Sequence, residues 1–354
     1  MKHRQFIRRT LALLLALAAT PVLSGCGESA ASQKEVYAMD TVMTLTAYGP
    51  KGEAGLIAGE SVIYSMEAML DPELPTSVVY AMNHADGAAV SVPGQIARML
   101  QDAQLIYERS KKLGAVSLDL SIYPLVRLWG FVDGSYYVPG DDEIAAARAR
   151  LQFDQIVLST FPSSGSYEVS MPAGCEITFG AIAKGCTSAY VIEALRNAGV
   201  TSAIVSLGGN VQTLGLRPDG SRWKIGIADP KNPDTYLGIL HTGETAVVTS
   251  GGYQRFFTDQ RGKTYHHLID PRTGRPSDNS LLSATVICED GAMADALSTA
   301  MFILGPTNAL RYWRSYGKDF EMILVTKDNE VVCTSGLIEE FSLENENYTL
   351  RFSE

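Results

Sequence analysis

From residue 203 to the C-terminus, short β-branched and apolar segments follow one another at hairpin spacing. They fall at about 203–207, 211–215, 223–228, 238–241, 245–249, 264–269, 283–288, 321–326 and 348–352. Most helical periodicity lies before them. Residues 53–70 repeat Leu56, Ile57, Val62, Ile63, Met66 and Leu70 every three or four positions. A second helix starts at Pro93, carries Ile96, Met99, Leu100, Ala103 and Ile106, and ends near Gly114. Shorter helical patterns cover about 141–151 and 180–199, and two more, 291–304 and 306–316, interrupt the strands. In a doubly wound parallel sheet, strands and helices alternate from the start. Helices first and strands later predict instead an α+β fold with antiparallel or mixed sheets and flanking helices. An opening strand is expected at 36–48 (VYAMDTVMTLTAY), and no Pro-, Gly- or Ser-rich linker divides residues 35–354, so these read as one domain.

The first 25 residues read as an address. Lys2, Arg4, Arg8 and Arg9 form a basic start without an acid, and LALLLALAAT at 11–20 is apolar but shorter than the ~20 residues that span a bilayer. Leu23-Ser24-Gly25-Cys26 follows at once and resembles a bacterial lipoprotein signal, with Cys26 the lipidated residue and 26–34 a small, polar tether. On that reading the protein is exported and held by acyl chains on the outer face of the cytoplasmic membrane, or on a periplasmic membrane face. The alternative is an ordinary export signal with an incidental cysteine. Removing the signal takes away four basic residues, leaving 25 against 39 acidic, a net charge of −14 in place of −10. With no basic block, nucleic acid is excluded as a partner. Cys175, Cys186, Cys288 and Cys333 form no Cys-x-x-Cys pair, which argues against zinc or thioredoxin-like chemistry and for buried free thiols.

Four clusters carry chemistry. Thr178-Phe179-Gly180-Ala181-Ile182-Ala183-Lys184-Gly185 leaves backbone reachable at the start of a helix, where free N–H groups favour phosphate. It is neither a Walker A loop nor a G-x-G-x-x-G fingerprint. Lys184 runs against the dipole preference of a first turn; the bland alternative is a solvated lysine. Ser206-Leu207-Gly208-Gly209-Asn210-Val211 is a hairpin turn or a place where ligand approaches backbone. A third run joins Thr249-Ser250-Gly251-Gly252-Tyr253 to Tyr265-His266-His267-Leu268-Ile269-Asp270-Pro271-Arg272-Thr273-Gly274. Strand alternation puts Tyr265, His267 and Ile269 on one face and His266, Leu268 and Asp270 on the other, so only one histidine can serve as a general base there. The fourth is Asp290-Gly291-Ala292-Met293-Ala294-Asp295-Ala296-Leu297-Ser298-Thr299-Ala300. Asp290 is a helix cap, and Asp295 and Thr299 share a helical face among alanines. A carboxylate there without a basic partner calls for a cation, and oxygen ligands suit Mg²⁺; an Asp satisfied by Thr and backbone is the alternative.

Together these clusters resemble the ApbE family of FAD:protein FMN transferases. The likeness runs from about residue 36 to 327. It takes in Met39-Asp40-Thr41, Asp119, Pro124-Leu125-Val126-Arg127-Leu128-Trp129-Gly130-Phe131, the four clusters, and Trp223-Lys224-Ile225-Gly226-Ile227 with Asp229-Pro230. The resemblance implies an enzyme that binds FAD with Mg²⁺ and cleaves its pyrophosphate. FMN is then attached through a phosphoester to a Thr or Ser of an acceptor flavoprotein, such as a membrane redox-pump subunit or a secreted flavoprotein, and AMP is released. It implies His267 as the base, Ala181 (carbonyl), Asp295 and Thr299 as metal ligands, and flavin or adenosine contacts at Met39, Ser117, Leu118, Asp119, Thr178 and Lys184.

The chain departs from the family pattern at Thr178, where the family usually has Asp, at Cys186, usually a bulky aromatic, and at Ala189, usually Asp. The Ser/Thr-aromatic segment that covers the flavin is replaced around Asp71-Pro72-Glu73-Leu74-Pro75. Two other outcomes share the site: an Mg²⁺-dependent FAD pyrophosphatase, with water in place of the hydroxyl, and a lipoprotein that only binds FAD. Intact His267, Asp295 and Thr299 point to catalysis.

Overall fold

A computed structural model describes residues 30–161 and 165–354. Cys26 and the signal segment lie outside the described residues. Nine strands form one sheet in chain order: β1 (Ala31–Ala38), β2 (Thr41–Tyr48), β3 (Ala203–Leu207), β4 (Asn210–Leu214), β5 (Ala246–Gly251), β6 (Leu281–Cys288), β7 (Phe320–Thr326), β8 (Glu330–Thr334) and β9 (Thr349–Ser353). Neighbours are antiparallel except the parallel pair β8–β9. The α+β expectation with mixed pairing therefore holds.

Alternation decides what covers each face. Val248, Val286 and Leu324 point to one side, into a core with α3 (Gly94–Lys112) and α7 (Gly291–Tyr316). Met43, Leu45, Val205 and Leu207 meet α1 (Gly52–Leu70) and α6 (Ala183–Asn197) through Leu56, Ile63, Val191 and Leu195. The opposite face, with Val247, Ile323, Val325 and Val331, packs on a small sheet built from 223–229, 232–242 and 341–343. Burying these apolar side chains, each worth ~1.5–3 kcal/mol, is the main stabilising term.

Between these elements lie α2 (Val78–Asn83), α4 (Tyr123–Leu128) and α5 (Asp141–Arg148). The expected strand 36–48 is two strands. Met39 and Asp40 turn it with φ of 48° and 58°, the left-handed values a two-residue hairpin needs. β1 begins at Ala31, so Ala31–Lys34, within the stretch read as tether, belong to the sheet. The helix expected from 180 begins at Ala183. The segment 264–269 is broken: Thr264–His266 pairs with Phe256–Thr258, and Ile269–Asp270 pairs with Arg275–Pro276. In α7 the two expected helices meet at Gly305, whose φ of 72° kinks the chain before Pro306. The strands at 90–92, 157–161, 166–170, 330–334 and 341–343 were not anticipated. The four thiols are buried and unpaired. Among the described residues no helix is long and apolar enough to cross a membrane.

Candidate active site

The first turn of α6 meets the first turns of α7 at a contact only glycine permits. A Cβ on Gly185 would lie 2.1 Å from the Gly291 carbonyl oxygen and 2.5 Å from Asp295 Cβ. The approach lets Gly185 N–H, one of the donors left free at the helix start, donate to Asp295 Oδ2 at 2.8 Å. Asp295 is 4% exposed, and burial pushes its carboxyl above the ordinary range while the nearby Lys184 charge opposes that push. One turn on, half-buried Thr299 places Oγ1 3.2 Å from Ser250 Oγ, which is also 2.8 Å from Ser298 Oγ. Asp290 caps α7 as expected, accepting from Ala292 and Met293 N–H at 2.9 and 3.2 Å.

Ala181 lies half-buried in the turn before α6, which Ile182 and Ala183 N–H close onto the Phe179 carbonyl at 2.9 and 2.8 Å. Among the described residues no three His, Cys, Asp or Glu gather into a metal cluster. One carboxylate, one hydroxyl and one carbonyl make a sparse set of hard oxygen donors. That suits Mg²⁺, which keeps waters and takes phosphate oxygens as further ligands, and the buried Asp295 carboxylate, held by the backbone at the start of α6, fits it.

His267 lies just past the 264–266 strand. Its N–H and its Nδ1 are 3.1 and 3.0 Å from the Arg255 carbonyl oxygen. Nδ1 therefore carries the proton and Nε2 keeps its lone pair. Desolvation first, and then the Lys184, His266 and Arg255 charges, lower the ring's pKa to about 3, against the Arg255 hydrogen bond. The alternation argument survives the break in the strand. His267 packs edge-on to Phe131, in the cluster that holds Tyr265 and Ile269, while His266 packs on Phe302 and bonds the Ser277 carbonyl at 3.0 Å.

Met39 sits at the β1–β2 turn, where its N–H donates to Glu67 Oε1 at 2.7 Å and its sulfur lies 4.0 Å from Thr187 Oγ1 on α6. The remaining sites occupy a second wall. Leu118 is buried in the core beside α3, and Ser117 Oγ is buried without a partner. Asp119 accepts from Ser121 N–H and Oγ at 2.8 and 2.6 Å, yet burial pushes its carboxyl up to about 6. Thr178 N–H donates to the Leu120 carbonyl at 2.9 Å and ties this wall to the loop leading into α6. Around residues 71–75, the Tyr123 hydroxyl bonds Glu73, and Arg127 stacks on Tyr123 at 4.7 Å and pairs with Glu176 at 3.0 Å.

Three contributors escaped the sequence reading. Ser250, at the end of β5, joins Thr299 and Ser298 across the α7 face. Arg255 bonds His267 through its carbonyl, and its guanidinium reaches the Phe131 carbonyl and lies 4.0 Å from Asp40. Asn83 clamps Ile177 next to Thr178, donating to its carbonyl at 3.0 Å and accepting its N–H at 2.8 Å. None belongs to a local pattern; each acts across the fold.

The profile of the ApbE family matches residues 39–324. An FAD:protein FMN transferase of Klebsiella pneumoniae is 34% identical over 276 residues, covering 77% of this chain and 83% of that protein. One from Treponema pallidum is 30% identical, with 82% of each chain covered. Among solved structures, the flavinyl transferase ApbE of Pseudomonas stutzeri in its apo form superposes with a TM-score of 0.77 at 24% identity, over 91% of this chain and all of that one. The ApbE protein of Thermotoga maritima gives 0.78 at 23% identity, over 87% and 98%. The chain is a member of the ApbE family.

Proposed function

We propose that the protein transfers FMN from FAD to a Thr or Ser hydroxyl of an acceptor flavoprotein, forming a phosphoester and releasing AMP. The reading rests on its relatives and on one observation: a buried carboxylate, a lysine and a neutral imidazole converge at the N-terminus of α6. Bound there by Asp295, Thr299 and the Ala181 carbonyl, Mg²⁺ would neutralise charge on the pyrophosphate. Lys184 and the free N–H groups of α6 attract the phosphates. His267 Nε2 takes the proton of the acceptor hydroxyl as its oxygen bonds the FMN phosphorus. The bond from that phosphorus to the bridging oxygen breaks, and AMP leaves with the electron pair. Phosphates beside Lys184 would cancel its lesser push on the imidazole, while desolvation, the main cause of the lowered pKa, keeps the ring neutral with Nε2 free to accept a proton.

Mass spectrometry of a candidate flavoprotein mixed with the enzyme, FAD and Mg²⁺ tests this. An added FMN mass on the acceptor supports transfer; free FMN and AMP alone would make the protein a pyrophosphatase, and no product at all would leave an FAD-binding protein. The signal-like residues 1–25 and the Leu23-Ser24-Gly25-Cys26 run support a lipid anchor at Cys26 on the outer face of the cytoplasmic membrane, or on a periplasmic membrane face. Cys26→Ala should then move the protein from the membrane to the soluble fraction, and a variant that stays on the membrane would remove that reading.

A further inference from the structure

Ser188, one turn into α6, is fully buried at the back of the Gly185–Asp295 contact. Its Oγ is 2.9 Å from the Gly185 carbonyl oxygen, 2.8 Å from Gln212 Oε1 and 3.2 Å from Asn210 Oδ1. A hydroxyl has one proton and can serve one of the three. The Gly185 carbonyl also has its place in the α6 ladder, but a carboxamide oxygen that Ser188 does not serve faces the hydroxyl's lone pairs unless a carboxamide turns an N–H toward it. Asn210 is 1% exposed and its Nδ2 is buried without a partner. Half a turn of that carboxamide, which leaves its shape unchanged, brings Nδ2–H onto Ser188 Oγ. The Ser188 proton is then free for Gly185 or Gln212. There is no room for slack: a Cβ on Gly291 would lie 2.5 Å from Gln212 Oε1, 2.8 Å from the Gly185 carbonyl and 3.1 Å from Ser188 Oγ.

We infer that Asn210 and Ser188 form a hydrogen-bonded relay that positions Gly185 through its carbonyl, so that the N–H of the same residue, in the preceding peptide, holds the Asp295 carboxylate in its metal-binding orientation. This gives the Gly208-Gly209-Asn210 turn a role that is neither hairpin chemistry alone nor ligand contact: φ of 58° and 91° at the two glycines starts β4 where Asn210 faces α6. Partners behind a ligand typically cost 10–100-fold in metal affinity when removed. The inference rests on the functional reading for the metal at Asp295.

Ser188→Ala and Asn210→Leu remove the hydroxyl and the amide without adding charge. Each should raise the Mg²⁺ concentration for half-maximal FAD turnover by ~10–100-fold, with turnover at saturating Mg²⁺ within a few-fold of the parent. The double variant should go no further than the worse single one, because both break one chain. Independently of turnover, calorimetric Mg²⁺ binding should weaken by the same factor, and hydrogen exchange of the peptide spanning 183–188 in the metal-free protein should quicken. An unchanged Mg²⁺ requirement in both variants, or shifts that add in the double one, overturns the relay. If the unaltered protein shows no Mg²⁺-dependent turnover, the functional reading fails instead; the exchange rates of the variants then decide the relay alone.

Discussion

The two walls of the site are built differently. The wall with Lys184, Asp295 and Thr299 rests on α6, α7 and the end of β5, fixed by contacts that exclude any Cβ and by short polar bonds among buried groups, and His267 joins it from the segment after the 264–266 strand, held on the Arg255 carbonyl. The wall with Ser117–Asp119, Thr178 and 71–83 is carried by loops and short turns. It is tied down by backbone bonds, by the Asn83 clamp and by half-exposed ion pairs such as Arg127–Glu176, which contribute little each. Reacting groups must hold their geometry to fractions of an ångström, whereas a surface that grips a large nucleotide can spread its contacts and change residue by residue. Of the departures from the family pattern, Thr178 and the 71–75 segment lie on the second wall, and Cys186 and Ala189 on α6.

The sharpest way to break this contrast is at Asp295. Asp295→Ala deletes the carboxylate that the Gly185 N–H holds at the α6–α7 contact, and with it several kcal/mol of charge neutralisation, so Mg²⁺-dependent turnover should fall by about 10³-fold. Turnover that persists with an unchanged response to Mg²⁺ would take Asp295 out of the metal site. Next comes His267→Ala. A positioned imidazole is worth ~10²–10⁴-fold in such a step, so single-turnover FMN transfer should drop at least ~10²-fold while FAD affinity stays within about tenfold. His266→Ala, on the Phe302 side, should be much milder. If His266 proves the sensitive one, the base has been placed on the wrong face.

The same contrast governs what the sequence discloses. The first wall is legible because its residues come in contiguous runs, 181–185, 265–274 and 290–300, whose helical and strand phases place the side chains. The phase at 265–270 even outlives the strand, since Tyr265 and Ile269 reach the Trp129 cluster and Leu268 the main core. What stayed hidden depends on distant pairs: Ser250 with Thr299, Arg255 with His267, Asn83 with Ile177. No local periodicity encodes such pairs. The β1–β2 turn was missed because Met39-Asp40 lacks the glycine that usually marks left-handed φ. The short strands at 90–92 and 341–343 offer too few residues for alternation to show.

The walls should also respond oppositely to pH. For Asp119 the folded value of about 6 lies above the unfolded one near ~3.9, so its contribution to stability is complete below ~4 and is lost as pH rises through about 6. For His267 the folded value of about 3 lies below the unfolded ~6.5, so its contribution is present above ~6.5 and is lost as pH falls toward about 3. Asp119→Asn keeps an acceptor for Ser121 and removes the buried charge. It should stabilise the protein by about 2 kcal/mol at pH 8 and leave it unchanged below pH 4. Thermal unfolding at the two pH values decides this, and equal effects at both would show that Asp119 is not held protonated by burial.

The smallest expected effect tests whether the second wall tolerates the family residue. Thr178 accepts the Gly180 N–H through Oγ1 at 3.2 Å, a turn that an Asp carboxylate closes equally well. Its backbone is already fixed by the bond to Leu120 and by the clamped Ile177 before it. Thr178→Asp therefore fits the loop without moving it, and thermal stability should stay within ~0.5 kcal/mol of the parent, as for other substitutions at half-exposed positions. If the family's Asp contributes one hydrogen bond to FAD, worth ~1 kcal/mol net, affinity should tighten by about fivefold with the FMN-transfer rate at saturating FAD unchanged. A change in that rate, with affinity constant, would mean that position 178 acts on the reacting phosphates, and the division between a holding wall and a reacting wall would have to be drawn on the other side of the loop.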